Sequence, residues 1–168
     1  MSINDVILAE MAVEAETTKG LFERIPEDKL SWRPHKKSRS LGQLALHIAQ
    51  LPAVVCSLAE LDVAEPPSLG NEPEAKSRKE LMQTFDQSMA SAREQLTKMD
   101  DERMLSPWTL QNHGKTIMSM PRTAFLRSIL LNHNYHHRGQ LTVYLRLLDV
   151  PLPFVYGPSA DENPFVAQ

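Results

Sequence analysis

Apolar residues recur along much of this chain at three- and four-residue spacing, the period of a helix with one buried face. Val6, Ile7, Met11, Ala15, Thr18 and Phe22 form the first such stripe, and Pro26 closes the segment, so a helix is predicted from about Ile3 to Arg24. Leu41, Leu44, Ile48, Leu51, Val55 and Leu58 form the second stripe. It begins at Ser40-Leu41-Gly42-Gln43, a capping box in which the serine hydroxyl accepts from a free amide and the glutamine reaches back. Pro52 lies inside this stripe; its missing amide hydrogen and its ring predict a kink or a local break there. A third helix opens at a second capping box, Ser77-Arg78-Lys79-Glu80, and runs to about Lys98 with Leu81, Phe85, Met89, Ala92 and Leu96 as its stripe. The fourth runs from about Arg122 to Leu148, with Leu126, Ile129, Leu130, His133, His137, Leu141, Tyr144 and Leu148 near one face.

The connections differ in character. Apolar-rich flanks around Asn112-His113-Gly114 predict a short β-hairpin between Pro107 and Met118. Val63 to Pro73 reads as a loop, longer than a tight turn and roomy enough for a crossover. Beyond Leu148, three prolines between Val150 and Pro158 forbid a helix and predict an extended tail lying on the helices. The expected fold is therefore all-α: an antiparallel four-helix bundle with a short hairpin-like insertion before the last long helix and an extended Pro-rich C-terminal tail. With 168 residues and no internal repeat or long linker, residues 1–168 are read as a single domain.

Composition removes several classes of function. One cysteine, Cys56, cannot form an internal disulfide or a zinc site with two thiolates. It falls nine residues after His47, on the opposite side of the helix, and is read as a buried, inert thiol. A net charge of −3 argues against nucleic acid as a partner. No stretch of 18 or more consecutive apolar residues is present, and the N-terminus lacks the basic start and apolar core of a signal peptide, so a cytoplasmic protein with no membrane partner is expected.

The charge total conceals a segregation. Lys29 to Ala59 and Met104 to Leu148 contain no Asp or Glu, yet hold all six histidines and ten of the Lys and Arg residues. If the two segments meet in the fold, they make a site suited to an anion. His133 and His137, four apart, share one helix face and stand close enough to chelate one ion. His47 borders the apolar stripe of the second helix and supplies a third candidate ligand; three histidines and an open position form a recognised catalytic geometry. His136 points about 100° away from His137 and is read as surface or supporting, while His35 and His113 fall on exposed loops. Trp32 and Trp108 are read as loop or core anchors and Tyr144 as core. Arg138 either orients an anionic group or caps a neighbouring loop. The zincin motif is absent, because no glutamate follows His133, and inward glutamates for a di-iron site are missing as well. An ion held by three neutral imidazoles keeps its full charge and prefers a thiolate or carboxylate ligand.

Two blocks carry a resemblance to a known family: Trp32-Arg33-Pro34 with Ser38 to His47, and His133 and His137 followed by Arg138-Gly139-Gln140-Leu141-Thr142. The tail from Tyr156 to Glu162 fits the same pattern. The chain resembles the DinB-like family of metal-binding four-helix bundles over essentially its whole length. The resemblance implies one divalent metal, nickel or zinc, on a histidine triad that maps to His47, His133 and His137. It also implies a homodimer and a low-molecular-weight thiol as cosubstrate, since the family includes mycothiol-dependent isomerases and bacillithiol transferases. The expected function is a metal-dependent enzyme, an S-transferase or hydrolase, in which the ion activates a thiolate or water for attack on a small electrophile. Arg138 would orient a small substrate that is anionic or thiol-linked. The alternatives are a non-catalytic metal- or ligand-binding stress-response bundle, and a structural bundle whose histidines pack without metal.

Overall fold

A computed structural model describes residues 2–66 and 72–165 of the chain. The four predicted helices form. Helix α1 spans Ile3–Phe22, α2 Leu41–Glu60 and α3 Arg78–Thr97. A short α4, Asp101–Leu105, capped by the Asp100 carboxylate, was not signalled by any stripe. The last helical stretch is built of α5 (Arg122–Phe125), a π-helical segment (Leu126–Asn132) and α6 (His133–Leu147). Within it the His133 amide donates to the carbonyl of Ser128, five residues back rather than four.

The helix starts follow from the caps. Ser40 and Gln43 make both bonds of the capping box at α2, and Ser2 with Asp5 does the same at α1. At α3 the Ser77 hydroxyl accepts from the Glu80 amide, but the Glu80 carboxylate reaches to the amide of Lys76 instead, 2.6 Å away. Helix α2 runs through Pro52 without ending. The ladder is opened there and closed from outside: the Ala53 amide donates to the Ser88 hydroxyl at 2.9 Å, and that hydroxyl donates to the Gln50 carbonyl at 3.2 Å.

Each long helix packs on two others, α1 and α2 both touching α3 and α6. Their directions correct the antiparallel expectation. The Gly42 and Ala75 backbones meet near the starts of α2 and α3, and Ser88 meets Gln50 and Ala53 farther along both, so these helices run parallel. Glu10 meets Arg127 and Glu14 meets Arg138, so α1 and the last helix are parallel too. Asn4 bonds Leu96 while Lys19 bonds Asp86, and Arg39 meets Tyr144 while His47 meets His133; the α1/α3 and α2/α6 pairs are antiparallel. Parallel α2 and α3 require the connection between them to return the length of a helix, about 30 Å for 20 residues. Gly42 marks where this return closes on α2: a Cβ there would stand 3.2 Å from the Leu30 carbonyl oxygen and 3.3 Å from that of Ala75.

A small three-stranded sheet corrects the all-α reading. Strands β2 (Pro107–Asn112) and β3 (Lys115–Pro121) form the predicted hairpin, with His113 and Gly114 both at positive φ in its two-residue turn. Strand β1, Val63–Ala64, pairs parallel with β2 at Thr109 and Leu110, where a loop had been expected. Residues 67–71 of that expected loop fall outside the described residues. Arg122 fastens the sheet to the helices. Its buried guanidinium donates to the carbonyls of Ala59, Leu61 and Arg103, to the Ser106 hydroxyl and to Asp62.

Two apolar clusters fill the interior. One surrounds Phe22, Phe85 and Leu141; the other surrounds Trp108, Phe125 and Met104, with Trp108 and Phe125 stacked at 3.7 Å between centroids. The tail lies along the helices as expected, held by Arg24 on Glu162, Arg146 on Asp161, and Tyr156 on Glu14. Helix α2 is long and apolar enough to cross a membrane, with a mean hydropathy of 1.5, yet 61% of that window is buried within the fold. Its apolarity is that of a core helix.

Candidate metal centre

The two acid-free segments do meet. His47 lies a third of the way along α2, and His133 and His137 occupy the first turns of α6, which passes α2 in the opposite direction. The His133 Nε2 stands 3.3 Å from the His47 Nε2 and 2.8 Å from the His137 Nε2. The ligand atoms of all three residues lie within 4.8 Å of one another. Two nitrogens each 2.0–2.1 Å from one ion are separated by about 3.3–3.4 Å at a tetrahedral angle and about 2.8–3.0 Å at a right angle. Both measured spacings fit a pair of ligands on a single ion.

Tautomer and charge fit as well. The His137 Nδ1 lies 2.8 Å from the Gln140 side-chain oxygen, which has only lone pairs to offer. Nδ1 therefore carries the proton and Nε2 presents its lone pair to the cluster. Burial depresses the basicity of all three rings: His47 and His137 fall to about 4 and His133 is lowered, with the charge of Arg39 adding to the effect in each. At neutral pH the cluster is uncharged and every ring has a free pair. Lone pairs aimed at one point repel unless a proton or a cation lies between them, so the donor set suits a bound cation.

The cluster forms one wall of a cavity of about 680 Å³. Apolar side chains of α2 and of the hairpin, including Val54, Leu58, Trp108 and Met120, make most of its surface. Its polar groups include Arg39, Gln50, Glu72 and the histidines. Glu72 accepts two bonds from the Arg39 guanidinium, one of 2.5 Å from Nη2, and this pairing holds its carboxyl below the ordinary range. Arg39 was visible in the sequence only as one of several positive residues, and Glu72 was not signalled at all: it comes from the return crossing, outside both acid-free segments. With Glu65 it brings carboxylates into a site expected to hold none.

Arg138 lies elsewhere. It follows His137 but turns toward α1, where it is 1% exposed and bonds Glu14, the Thr18 hydroxyl and the Tyr156 hydroxyl. Arg39, and not Arg138, is the arginine of the histidine cavity. His35, His113 and His136 are exposed. Cys56 is buried and its thiol is pushed up to about 12 by burial. Tyr144 packs edge-on against Trp32 and donates to the Arg39 carbonyl, which anchors the loop that leads into α2.

Comparison with known proteins agrees with this architecture. The DinB family profile matches residues 1–164. The chain belongs to the DinB family. It is 26% identical over 161 residues to the uncharacterized protein YrdA of Bacillus subtilis strain 168, an alignment covering 94% of this chain and 90% of YrdA. A DinB-like protein from Bacillus cereus ATCC 10987 has a similar structure, with a TM-score of 0.72, 25% identity and coverage of 92% of this chain and 98% of the other. The DinB-like protein YjoA of Bacillus subtilis shares the fold at a TM-score of 0.68 and 21% identity, covering 88% and 95% of the two chains.

Proposed function

We propose that this DinB-family chain is a metal-dependent enzyme in which His47, His133 and His137 hold one divalent transition metal, nickel or zinc being the ions the family resemblance implies among those that three imidazoles accept. The observation that carries the proposal is the convergence of the three ring nitrogens, with Gln140 fixing the His137 tautomer. A bound ion would supply a Lewis acid that lowers the pKa of a water or of a low-molecular-weight thiol for attack on a small electrophile. The remaining roles fall to the chain's own groups. Arg39, steadied by Glu72, presents a positive charge that can orient an anionic substrate beside the histidines. The apolar walls keep bulk water from the reacting atoms, which strengthens every charge interaction in the cavity. Arg138 takes no part in this reading beyond holding α1 and the tail against α6.

Metal analysis of the purified protein tests the proposal. One nickel, zinc or similar ion per chain is expected, and His133→Ala should remove it. A protein that binds no divalent ion, and is equally stable with and without one, would overturn it. Turnover is then sought with several low-molecular-weight thiols, and with water alone, against an electrophilic acceptor. A second reading, a non-catalytic metal- or ligand-binding bundle, is favoured by the pairing of Glu72 with Arg39, which leaves that carboxylate a poor base. Metal binding with no turnover in any assay would select it. The proposal includes a single domain over residues 1–168, a cytoplasmic location, a homodimeric state and a small-molecule substrate, with neither nucleic acid nor membrane as partner. Light scattering on the purified chain tests the dimer.

A further inference from the structure

The cavity is polarised along its length. On α2 the lining positions His47, Gln50, Leu51, Val54, Val55 and Leu58 follow one another, and 11 residues of helix separate the first from the last, about 16 Å. The facing wall runs oppositely, from His137 and His133 through Ile129 to Phe125. The histidines and Arg39 thus lie at one end. Leu58, Trp108 and Phe125 lie at the other, floored by Met118 and Met120 of the hairpin. Trp108 cannot offer its indole N–H to a ligand there, because that group donates to the Leu58 carbonyl at 3.0 Å. A volume of about 680 Å³ falls within the size of small-molecule pockets. Leu58, Trp108 and Phe125 offer an occupant only dispersion and the removal of apolar surface from water, and away from the histidine end the polar groups of the lining are Ser128 and Glu65. Methionine side chains in its floor adapt to differing shapes.

We propose that the cavity binds a small amphiphile: one anionic head group, a carboxylate or thiolate, at the histidine end, and an extended apolar body reaching toward Trp108. This deepens the preceding reading by naming the substrate class, and it rests on the same cavity serving as the substrate site. A sugar-like or multiply charged body would leave its polar groups without partners against Leu58, Trp108 and Phe125.

Isothermal titration of straight-chain carboxylates from butyrate to dodecanoate, on metal-free and on zinc-loaded protein, tests the proposal. Affinity should rise about fourfold per added methylene, until the chain fills the cavity, and then level off. The slope should be the same with and without zinc, whereas zinc should shift the whole series by a constant factor. Slope and shift fail separately: a missing slope overturns the amphiphile, and a missing shift counts against the metal reading alone. Val54 of α2 and Met118 of the hairpin floor both line the cavity and are 48% and 41% exposed, so Val54→Asp and Met118→Asp should fold. Each should flatten the slope at least tenfold over the series, with circular dichroism confirming an unchanged fold. Affinity independent of chain length would overturn the proposal. So would undiminished dodecanoate binding by both variants, or a change from dimer to monomer in them with carboxylate binding intact, which would make this face a subunit contact.

Discussion

Replacing Gln140 by leucine isolates the effect of tautomer control on the histidine cluster. The leucine is similar in size and cannot accept the His137 Nδ1 proton, so both ring tautomers become accessible and the Nε2 lone pair is no longer held toward His133. Loss of such a partner weakens metal binding by 10–100-fold in general. Gln140 is exposed and its bond is an ordinary 2.8 Å, so water can replace much of what the amide supplies. The expected loss is therefore at the low end, about tenfold, or about 1.4 kcal/mol. In a thermal-shift assay with metal at about 100 times the parent dissociation constant, the parent gains about 2.7 kcal/mol and Gln140→Leu about 1.4. For a chain of this size each kcal/mol moves the midpoint by about 2–4 °C, so the variant should show roughly half of the parent's shift. Gln140→Glu should restore the full shift, because a carboxylate accepts the same proton. His133→Ala should show none. A parent-sized shift in Gln140→Leu, or a shift in His133→Ala, would refute the assignment of Nε2 as the metal-facing atom.

Three other outcomes follow from the packing. Ser88→Ala removes the hydroxyl that bridges the opened ladder at Pro52, taking the bonding partner from the Ala53 amide and a donor from the Gln50 carbonyl. It should cost about 1–3 kcal/mol in urea unfolding, with the slope of the transition unchanged. His47, His133 and His137 titrate below free histidine in the folded chain, so the unfolded chain binds more protons between pH about 6.5 and about 4. The metal-free protein should therefore keep this stability above pH 6.5 and lose it progressively as pH falls toward 4, measurable as a falling thermal midpoint. Cys56, with its thiol raised to about 12, should resist alkylation by iodoacetamide at pH 8 in the folded chain and react at once in guanidinium.

Local signals were legible in the sequence wherever a short stretch settles its own conformation. The Ser40 box starts α2, Asn112 to Lys115 turns the hairpin, and the His133/His137 spacing places two rings on one face. What sequence missed depends on partners distant along the chain. Val63 and Ala64 become a strand only because β2 offers them an edge, and two residues carry no period of their own. The parallel course of α2 and α3 is not written in either stripe, since an apolar face packs equally well on a neighbour of either direction. Glu72 enters the cavity because the return crossing brings it there to meet Arg39 of the loop leading into α2, and 33 positions in the sequence separate the two. Arg138, read as either orienting an anionic group or capping a neighbouring loop, lies against α1 and the tail for a simpler reason. Its neighbour in sequence faces α2, and one step of about 100° around the helix turns the next side chain to α1.

The π-helical segment gives the site a dependence on chain length that no single side chain reveals. Arg122 is locked to carbonyls at the end of α2, and His133 is fixed against His47, so the stretch between them joins two anchored ends. Its wider turns take up a residue that an ordinary α-helix could not accommodate between those anchors. If all seven residues of Leu126–Asn132 wound as an ordinary α-helix, His133 and His137 would swing by about 100° relative to Arg122, away from His47, whereas deleting one residue would let the helix rewind with their aim kept. The number of residues between the sheet anchor and the histidines and the way they wind, more than their identity, thus set the aim of the cluster, much as a gear tooth sets the phase of two wheels.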